Sequence, residues 1–314
     1  MTVSTIGIDI SKAWLDAHAL PAGLAGRFAN DPAGQKALIR WLGKLGQPVA
    51  RIVYEPTGAY HAGIARALEE AGFPLAPVNP RQARRFAEAC GRPAKTDRAD
   101  AAMLARLGVA LEPPLRPLPS QTVSALKQLS LARQALIRDR TAAGNRQAGL
   151  ALPMLKRHNA QRLRQIEAQL ADIETAIAAL IAGEPELARR LAILTSIPGI
   201  AETTASILLI EMPELGTLEA KQAASLAGLA PITRQSGTWT GHAFIRGGRA
   251  VLRRALYMPA LVATRFNPDL KAKYHQLIAA GKPAKLAIIA IMRKLLILAN
   301  TLLKQQRQWA AKAA

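Results

Sequence analysis

The chain has 314 residues, half of them hydrophobic, which excludes wholesale disorder and supplies enough apolar side chains for two or three domains. Lys and Arg number 42 against 21 Asp and Glu, a net charge of +21 that asks for a polyanionic partner, nucleic acid before an anionic membrane surface. The single cysteine, Cys90, excludes a disulfide framework and a cysteine-based zinc site, and the five histidines are scattered without ligand spacing.

Residues 3–10, VSTIGIDI, read as a buried strand rich in β-branched residues; the acid within this stretch argues against a secretion signal. AWLDAHAL and GRFAN follow as short strands. DPAGQKALIRWLGKLG reads as a helix that Asp31 caps, Pro32 opens and Gly43 or Gly46 ends. VARIVYEP is a strand stopped by Pro56, YHAGIARALEEAG a helix, FPLAPVN a strand, and PRQARRFAEACG and DRADAAMLARLG helices. Three strands followed by alternating strands and helices predict a mixed sheet flanked by helices, an α/β domain over 1–112 that ends at the Pro-rich LEPPLRPLPS.

Over 113–190 the pattern turns helical. Leu163, Ile166, Leu170, Ile173, Ile177 and Leu180 form a heptad seam, and Val123, Leu126, Leu129, Leu136 and Ile137 a looser one before it. Gly144, Gly149 and Pro153 are expected to break the two runs. An antiparallel hairpin, an intermolecular coiled coil and two core-facing amphipathic helices all satisfy this pattern. In 191–314, LTSIPGIAETTASILLIEM places a Pro-Gly turn between apolar runs; it resembles a helix-hairpin-helix, and a helix–turn–helix core element fits equally. From residue 221 onward there are sixteen Lys or Arg against one acid, Asp269, so this third is the expected main polyanion contact. AKLAIIAIMRKLLILANTLL is apolar enough to suggest a membrane span, but Arg293 and Lys294 at its middle favour an amphipathic soluble helix.

Acids are the minority charge, so those inside apolar elements carry information. Asp9 lies within a strand and Glu55 at the end of another; ordinary pairing with Lys12 or with an arginine would explain each singly. Asp97 and Asp100 fall one turn apart at a helix start, where N-capping would explain them too. Together, two strand acids and two helix acids can converge as hard oxygen ligands for one or two Mg²⁺ ions, which serve phosphodiester displacement.

IGIDISK, YEPTGAYH and KTDRADAAMLARL, in this order, resemble the RuvC-like domain of the DEDD transposases of the insertion-sequence 110 family. The resemblance continues through IPGI, SLAGLAP, RQSGTWTG, IRGGRAVLRRALYMPA and NPDLKAKYHQLIAAGKPAK, covering nearly the whole chain. It implies an RNase H/RuvC-like N-terminal domain, a helical coiled-coil segment for oligomerisation and a mainly α C-terminal transposase domain. By the same resemblance Asp9, Glu55, Asp97 and Asp100 match the family's acidic tetrad, with Mg²⁺ as cofactor and Mn²⁺ able to replace it. GIDIS alone also resembles the opening of sugar kinases and actin-like ATPases, but no second Gly-rich phosphate loop follows.

RQSGTWTGHAFIRGG carries Ser236 in a Gly-rich connection, where a turn is the ordinary role. Arg234, His242, Arg246 and Arg249 stand close in sequence and can neutralise a phosphate, and RAVLRRALY puts Arg249 and Arg253 one turn apart. Ser236 matches the family's nucleophilic serine. The resemblance thus implies a recombinase that attacks DNA through Ser236, in an oligomer of two or four chains, on donor element ends and target, with a structured guide RNA. Arg234, Arg246, Arg249, Arg253, Arg254, Lys282 and Lys285 are the expected nucleic-acid contacts, with no membrane involved and a cytoplasmic, nucleoid-associated location. A junction endonuclease using the acids alone, and a non-catalytic DNA-binding protein, are the rival readings.

Overall fold

The computed structural model describes residues 3–311 apart from 57, 59 and 92–96; the side chains of Asp97, Arg98 and Trp239 also lie outside the described residues. Two compact units divide the chain, Met1–Pro119 and Ser120–Ala314.

In the first unit β1 (Ser4–Ile10), β2 (Trp14–Leu20) and β3 (Leu24–Ala29) form an antiparallel meander. Then β4 (Val49–Tyr54) and β5 (Leu75–Pro77) add in parallel on the other side of β1, giving the order β3-β2-β1-β4-β5. This is the mixed sheet expected from three strands followed by β–α alternation, since a parallel neighbour needs a helical crossover and an antiparallel one only a turn. The helices are α1 (Pro32–Gly43), α2 (His61–Glu70), α3 (Pro80–Ala89) and α4 (Asp97–Leu111). Asp31 caps α1 as expected, its carboxylate accepting from the Gly34 N–H at 2.7 Å with Pro32 at the first position.

Strand periodicity assigns the two faces of the sheet. Ile6, Ile8, Leu15, Ala17, Ile52 and Tyr54 lie in one core with Leu38, Leu42, Ile64 and Leu68 of α1 and α2. The opposite face carries Val53, which packs with Leu104 and Leu107 of α4 and Ala83 of α3. Glycines let α4 approach. A β-carbon at Gly7 would lie 2.1 Å from the Ala101 carbonyl oxygen and 2.3 Å from the Ala105 nitrogen, and one at Gly108 would lie 2.6 Å from the Thr5 methyl.

The second unit opens with α5 (Gln121–Gly149) and α6 (Pro153–Ala182), an antiparallel hairpin. Four cross-links fix its register: Thr122 to Glu184, Arg133 to Glu174, Arg140 to Glu167, and Asn159 to Gln147. The heptad positions Ile166, Leu170 and Ile177 are buried, with Ile181 extending the seam. Gly144 does not break α5: a lone glycine costs about 1 kcal/mol, and packing along a 29-residue helix exceeds that.

Among the described residues, seven further helices follow in this unit: α7 (Pro185–Thr195), α8 (Glu202–Glu211), α9 (Ala220–Leu226), α10 (Ala250–Ala255), α11 (Tyr257–Phe266), α12 (Pro268–Ala279) and α13 (Ala284–Lys304). The Pro198–Gly199 turn between α7 and α8 serves the core: Ile197 and Ile200 are buried, and a β-carbon at Gly199 would lie 2.8 Å from the Pro259 carbonyl oxygen. Helix α13 is long and apolar enough to cross a membrane by composition, yet its Ile291, Leu295, Leu296, Ala299 and Leu302 are core residues of this unit.

Candidate active site

Asp9 is the last but one residue of β1, and Glu55 follows β4 directly. Because Ile8 pairs with Tyr54 in parallel register, Asp9 and Glu55 each stand one position beyond a matched pair, at the same edge of neighbouring strands. Gly7 pairs with Val53, so by alternation Asp9 and Glu55 belong to the face that α4 covers.

Helix α4 runs opposite to β1, with Gly108 at Thr5 and Ala101 and Ala105 at Gly7. Two strand residues rise about 6.6 Å, which corresponds to roughly four or five helical residues. The next step along β1 from Gly7 reaches Asp9, and the matching step along α4 reaches its first turn, where Asp97 and Asp100 lie. Asp9, Glu55 and Asp100 are half-buried; the Asp97 side chain lies outside the described residues. Among the described residues no group of three or more His, Cys, Asp or Glu is close enough to hold a metal ion. As a donor set, carboxylates at two strand ends and a helix start are the hard oxygens that Mg²⁺ prefers.

A fifth carboxylate lies beside them. Asp16 on β2 is directly opposite Asp9, buried, and clasped by Arg27 of β3 in a bidentate pair with both contacts at 2.9 Å. This fork satisfies Asp16 across the sheet and places a guanidinium near the acidic edge. The signal in sequence was an acid at the centre of WLDAHAL, a strand otherwise apolar on its other face. Two residues on, burial pushes the His18 imidazole below its usual pKa, and Arg106 of α4 lowers it further. Tyr54 is pushed up to about 12 by burial and by Glu69.

In the second unit, residues 231–245 make a two-tier hairpin. The root pairs β6 (Pro231–Ile232) with β9 (Phe244–Ile245), and the tip pairs β7 (Gln235–Ser236) with β8 (Trp239–Thr240). Gly237 supplies the left-handed backbone for the tip turn, φ +56°. Ser236 is exposed at this tip, and its hydroxyl makes no hydrogen bond among the described residues. Arg234 stacks its guanidinium 4.9 Å over the Phe244 ring.

The loop below the hairpin is stitched backbone to backbone. A β-carbon at Gly248 would lie 2.2 Å from the Gly228 nitrogen, and the Arg249 N–H donates to the Leu226 carbonyl at 2.7 Å. Arg249 also donates to the Glu211 carbonyl at 2.7 Å and to the Glu214 carboxylate at 2.5 Å, while Arg253 donates to the Gly247 carbonyl at 2.5 Å. Two of the basic residues expected at nucleic acid thus hold the root of the serine hairpin. Arg246, Arg254, Lys282 and Lys285 are exposed.

Comparison with known proteins places the chain. Residues 6–174 match a family model of DEDD transposases of IS110 type, described as "Transposase", and residues 191–275 match "Transposase IS116/IS110/IS902 family". The chain belongs to this family. Pilin gene-inverting proteins of Moraxella bovis and Moraxella lacunata are each 32% identical to it over 98% of both chains. A protein of insertion element IS110 from Streptomyces coelicolor is 33% identical over 43% of this chain and 33% of that one. The Thermus thermophilus RuvC structure, titled as a complex with a Holliday junction substrate, overlaps 37% of this chain and all of that one at 15% identity. Its TM-score of 0.28 is too low to carry an argument; the sheet order and strand directions stand by themselves. The protein is an IS110-family transposase, a DNA-recombining enzyme, with a mixed-sheet α/β domain followed by a mainly helical region.

Proposed function

We propose that this transposase cleaves and rejoins DNA strands through two groups of residues: a Mg²⁺-binding tetrad of Asp9, Glu55, Asp97 and Asp100, and Ser236 as nucleophile. The observation that carries the reading is the placement of Asp9 and Glu55 at one sheet edge, on the face along which α4 leads back to its acidic first turn. A bound divalent cation would supply stabilisation of the charge developing on the attacking and leaving oxygens. Ser236 Oγ forms a bond to the scissile phosphorus as the bond to the leaving nucleotide oxygen breaks, the Oγ proton ending on that oxygen as a free hydroxyl, and rejoining reverses this on a new strand end. Because the serine ester conserves the phosphodiester's energy, no nucleotide cofactor is consumed, in keeping with a sequence that lacks a Walker-type loop.

A serine hydroxyl is a weak nucleophile until a base or a metal activates it, so the reading gives Ser236 the acidic tetrad's metal as its partner in the chemistry. Arg234, Arg246, Arg254, Lys282 and Lys285 contact the DNA. A guide RNA, implied by the family resemblance, draws on the same surplus of positive charge. The working assembly is a homodimer or homotetramer in the cytoplasm, with 1–112 as catalytic domain, 113–190 as oligomerisation region and 191–314 as transposase domain.

Trapping wild-type protein on nicked donor DNA with Mg²⁺ gives a denaturant-resistant protein–DNA adduct. Ser236→Ala gives none, and chelation of the metal suppresses the wild-type adduct. Cleavage by Ser236→Ala with free ends and no adduct would instead establish a junction endonuclease that uses water. Light scattering of the purified protein reads the assembly directly.

A further inference from the structure

The α5–α6 hairpin is divided by charge. Toward its open end the cations are matched, Lys127 to Glu211 and Arg133 to Glu174. The closed end, residues 138–164, has seven Lys or Arg against the single acid Asp139. Arg140 pairs with Glu167, whereas Arg138, Arg146, Lys156, Arg157, Arg162 and Arg164 are exposed and make no ion pair among the described residues. Two shallow hollows of about 330 and 370 Å³ in the trough between the helices share Arg146 and Arg162 in their walls. His158 lines the first, while Asp139, Gln165 and Gln169 line the second. Two guanidiniums facing one trough repel each other, and Asp139 offsets only one of them. The apolar seam is already buried between the two helices, so this end offers a partner charge and hydrogen-bond donors.

We propose that the closed end of the hairpin clamps the phosphate backbone of duplex DNA, with Arg146 and Arg162 on one phosphate. The twelve residues of α5 beyond position 137 extend for about 18 Å. A duplex of that length presents roughly ten phosphate charges, enough to match every free cation here. Residues 138–164 contain no Phe, Tyr or Trp, the large rings on which single strands and RNA loops stack their bases, and His158 is the one aromatic ring there. A surface rich in guanidiniums and poor in aromatic rings suits the phosphates of a duplex more than splayed bases. This inference rests on the chain being a DNA recombinase, but on neither the acids nor Ser236.

The test is anisotropy of a fluorescent DNA duplex bound by the full-length protein in EDTA, across a salt series. Removing both arginines, Arg146→Ala with Arg162→Ala, flattens the slope of log K against log salt by about 2 and weakens binding at every salt. Alanine favours the helix and both positions are exposed, so circular dichroism and the melting temperature stay unchanged. An RNA stem-loop of equal length binds the variant as it binds the parent. An unchanged duplex slope overturns the proposal, as does a loss confined to RNA. A changed sedimentation coefficient at unchanged slope assigns this end to contacts between copies and overturns it too. Failure of the parent protein itself to bind duplex overturns the clamp, whereas the adduct assay reads the proposed strand chemistry separately.

Discussion

At Gly7 an added β-carbon would meet the Ala101 carbonyl oxygen at 2.1 Å, whereas at Gly237 it would meet nothing within 4 Å. The two glycines lie near the two groups of residues assigned to the chemistry. The acids stand at the margin of a sheet onto which α4 is pressed backbone to backbone, over Val53, Leu104 and Leu107. Ser236 stands at the tip of an exposed two-residue ladder whose root is held by Gly228, Gly248, Arg249 and Arg253. Metal ligands must hold their distances to tenths of an ångström, so a packed scaffold suits them. A nucleophile that becomes joined to DNA has to reach a strand and carry it, which suits a projecting hairpin.

The largest expected effects fall on recombination. Asp9→Asn and Ser236→Ala should each lower recombination by about 10³-fold or more while leaving the unfolding midpoint unchanged. Both should also abolish the adduct, Ser236→Ala by removing the nucleophile and Asp9→Asn by removing a metal ligand, while both retain DNA binding. Either variant recombining at half the parental rate would remove its residue from the chemistry.

The same substitution at the two glycines separates packing from conformational strain. Gly7→Ala must push α4 off β1 and should cost about 2–3 kcal/mol in urea unfolding of the first unit. Gly237→Ala meets no neighbour and pays only for its left-handed backbone, about 1 kcal/mol. Equal costs would mean that α4 yields more easily than its backbone contacts imply.

The arginines sharpen the comparison further. Arg249 and Arg253 are engaged by Glu214 and by backbone carbonyls, so Arg249→Ala should lower stability by about 1 kcal/mol and leave the salt slope of DNA binding alone. The exposed Arg246 and Arg254 should behave oppositely: Ala at either leaves stability unchanged and reduces the slope by about 1. A reversed pattern would move the DNA path onto the hairpin root.

What the sequence made legible follows the strength of the local physics. The β-branched run in VSTIGIDI, the strand in VARIVYEP stopped by Pro56 and the Asp31-Pro32 start of α1 are short-range signals, and all those elements form where the pattern puts them. The heptad seam was equally plain but did not name its partner, and α6 buries it against α5 of the same chain. Gly144 misled because helix propensity is weak beside packing along a long helix. The β6–β9 ladders have two residues each, too short for any periodicity, so Ser236 was legible only as a motif in a Gly-rich turn. Sequence proximity also made Arg249 and Arg253 look like phosphate ligands; their partners, Glu214 and the Gly247 carbonyl, became visible only through the fold.

The smallest effect concerns pH and probes the packed region alone. His18 pairs with Gly7 across β1 and β2, on the face covered by α4. Burial there disfavours its charged form, and Arg106 of α4 adds repulsion, so its folded pKa lies below the ordinary 6.5. The unfolded chain then takes up the proton first. Stability is full above about pH 6.5 and declines as the pH falls from there through the lower folded value. His18→Gln should therefore flatten this decline between pH 7.5 and 5, read as a smaller change in urea midpoint, while the window stays above the range in which exposed carboxylates titrate. Ser236→Ala, on the other unit, should leave the decline as it is in the parent. A variant lacking His18 with an undiminished slope would show that α4 does not seal this face against protonation, and the rigid support argued for Asp9 and Glu55 would weaken with it.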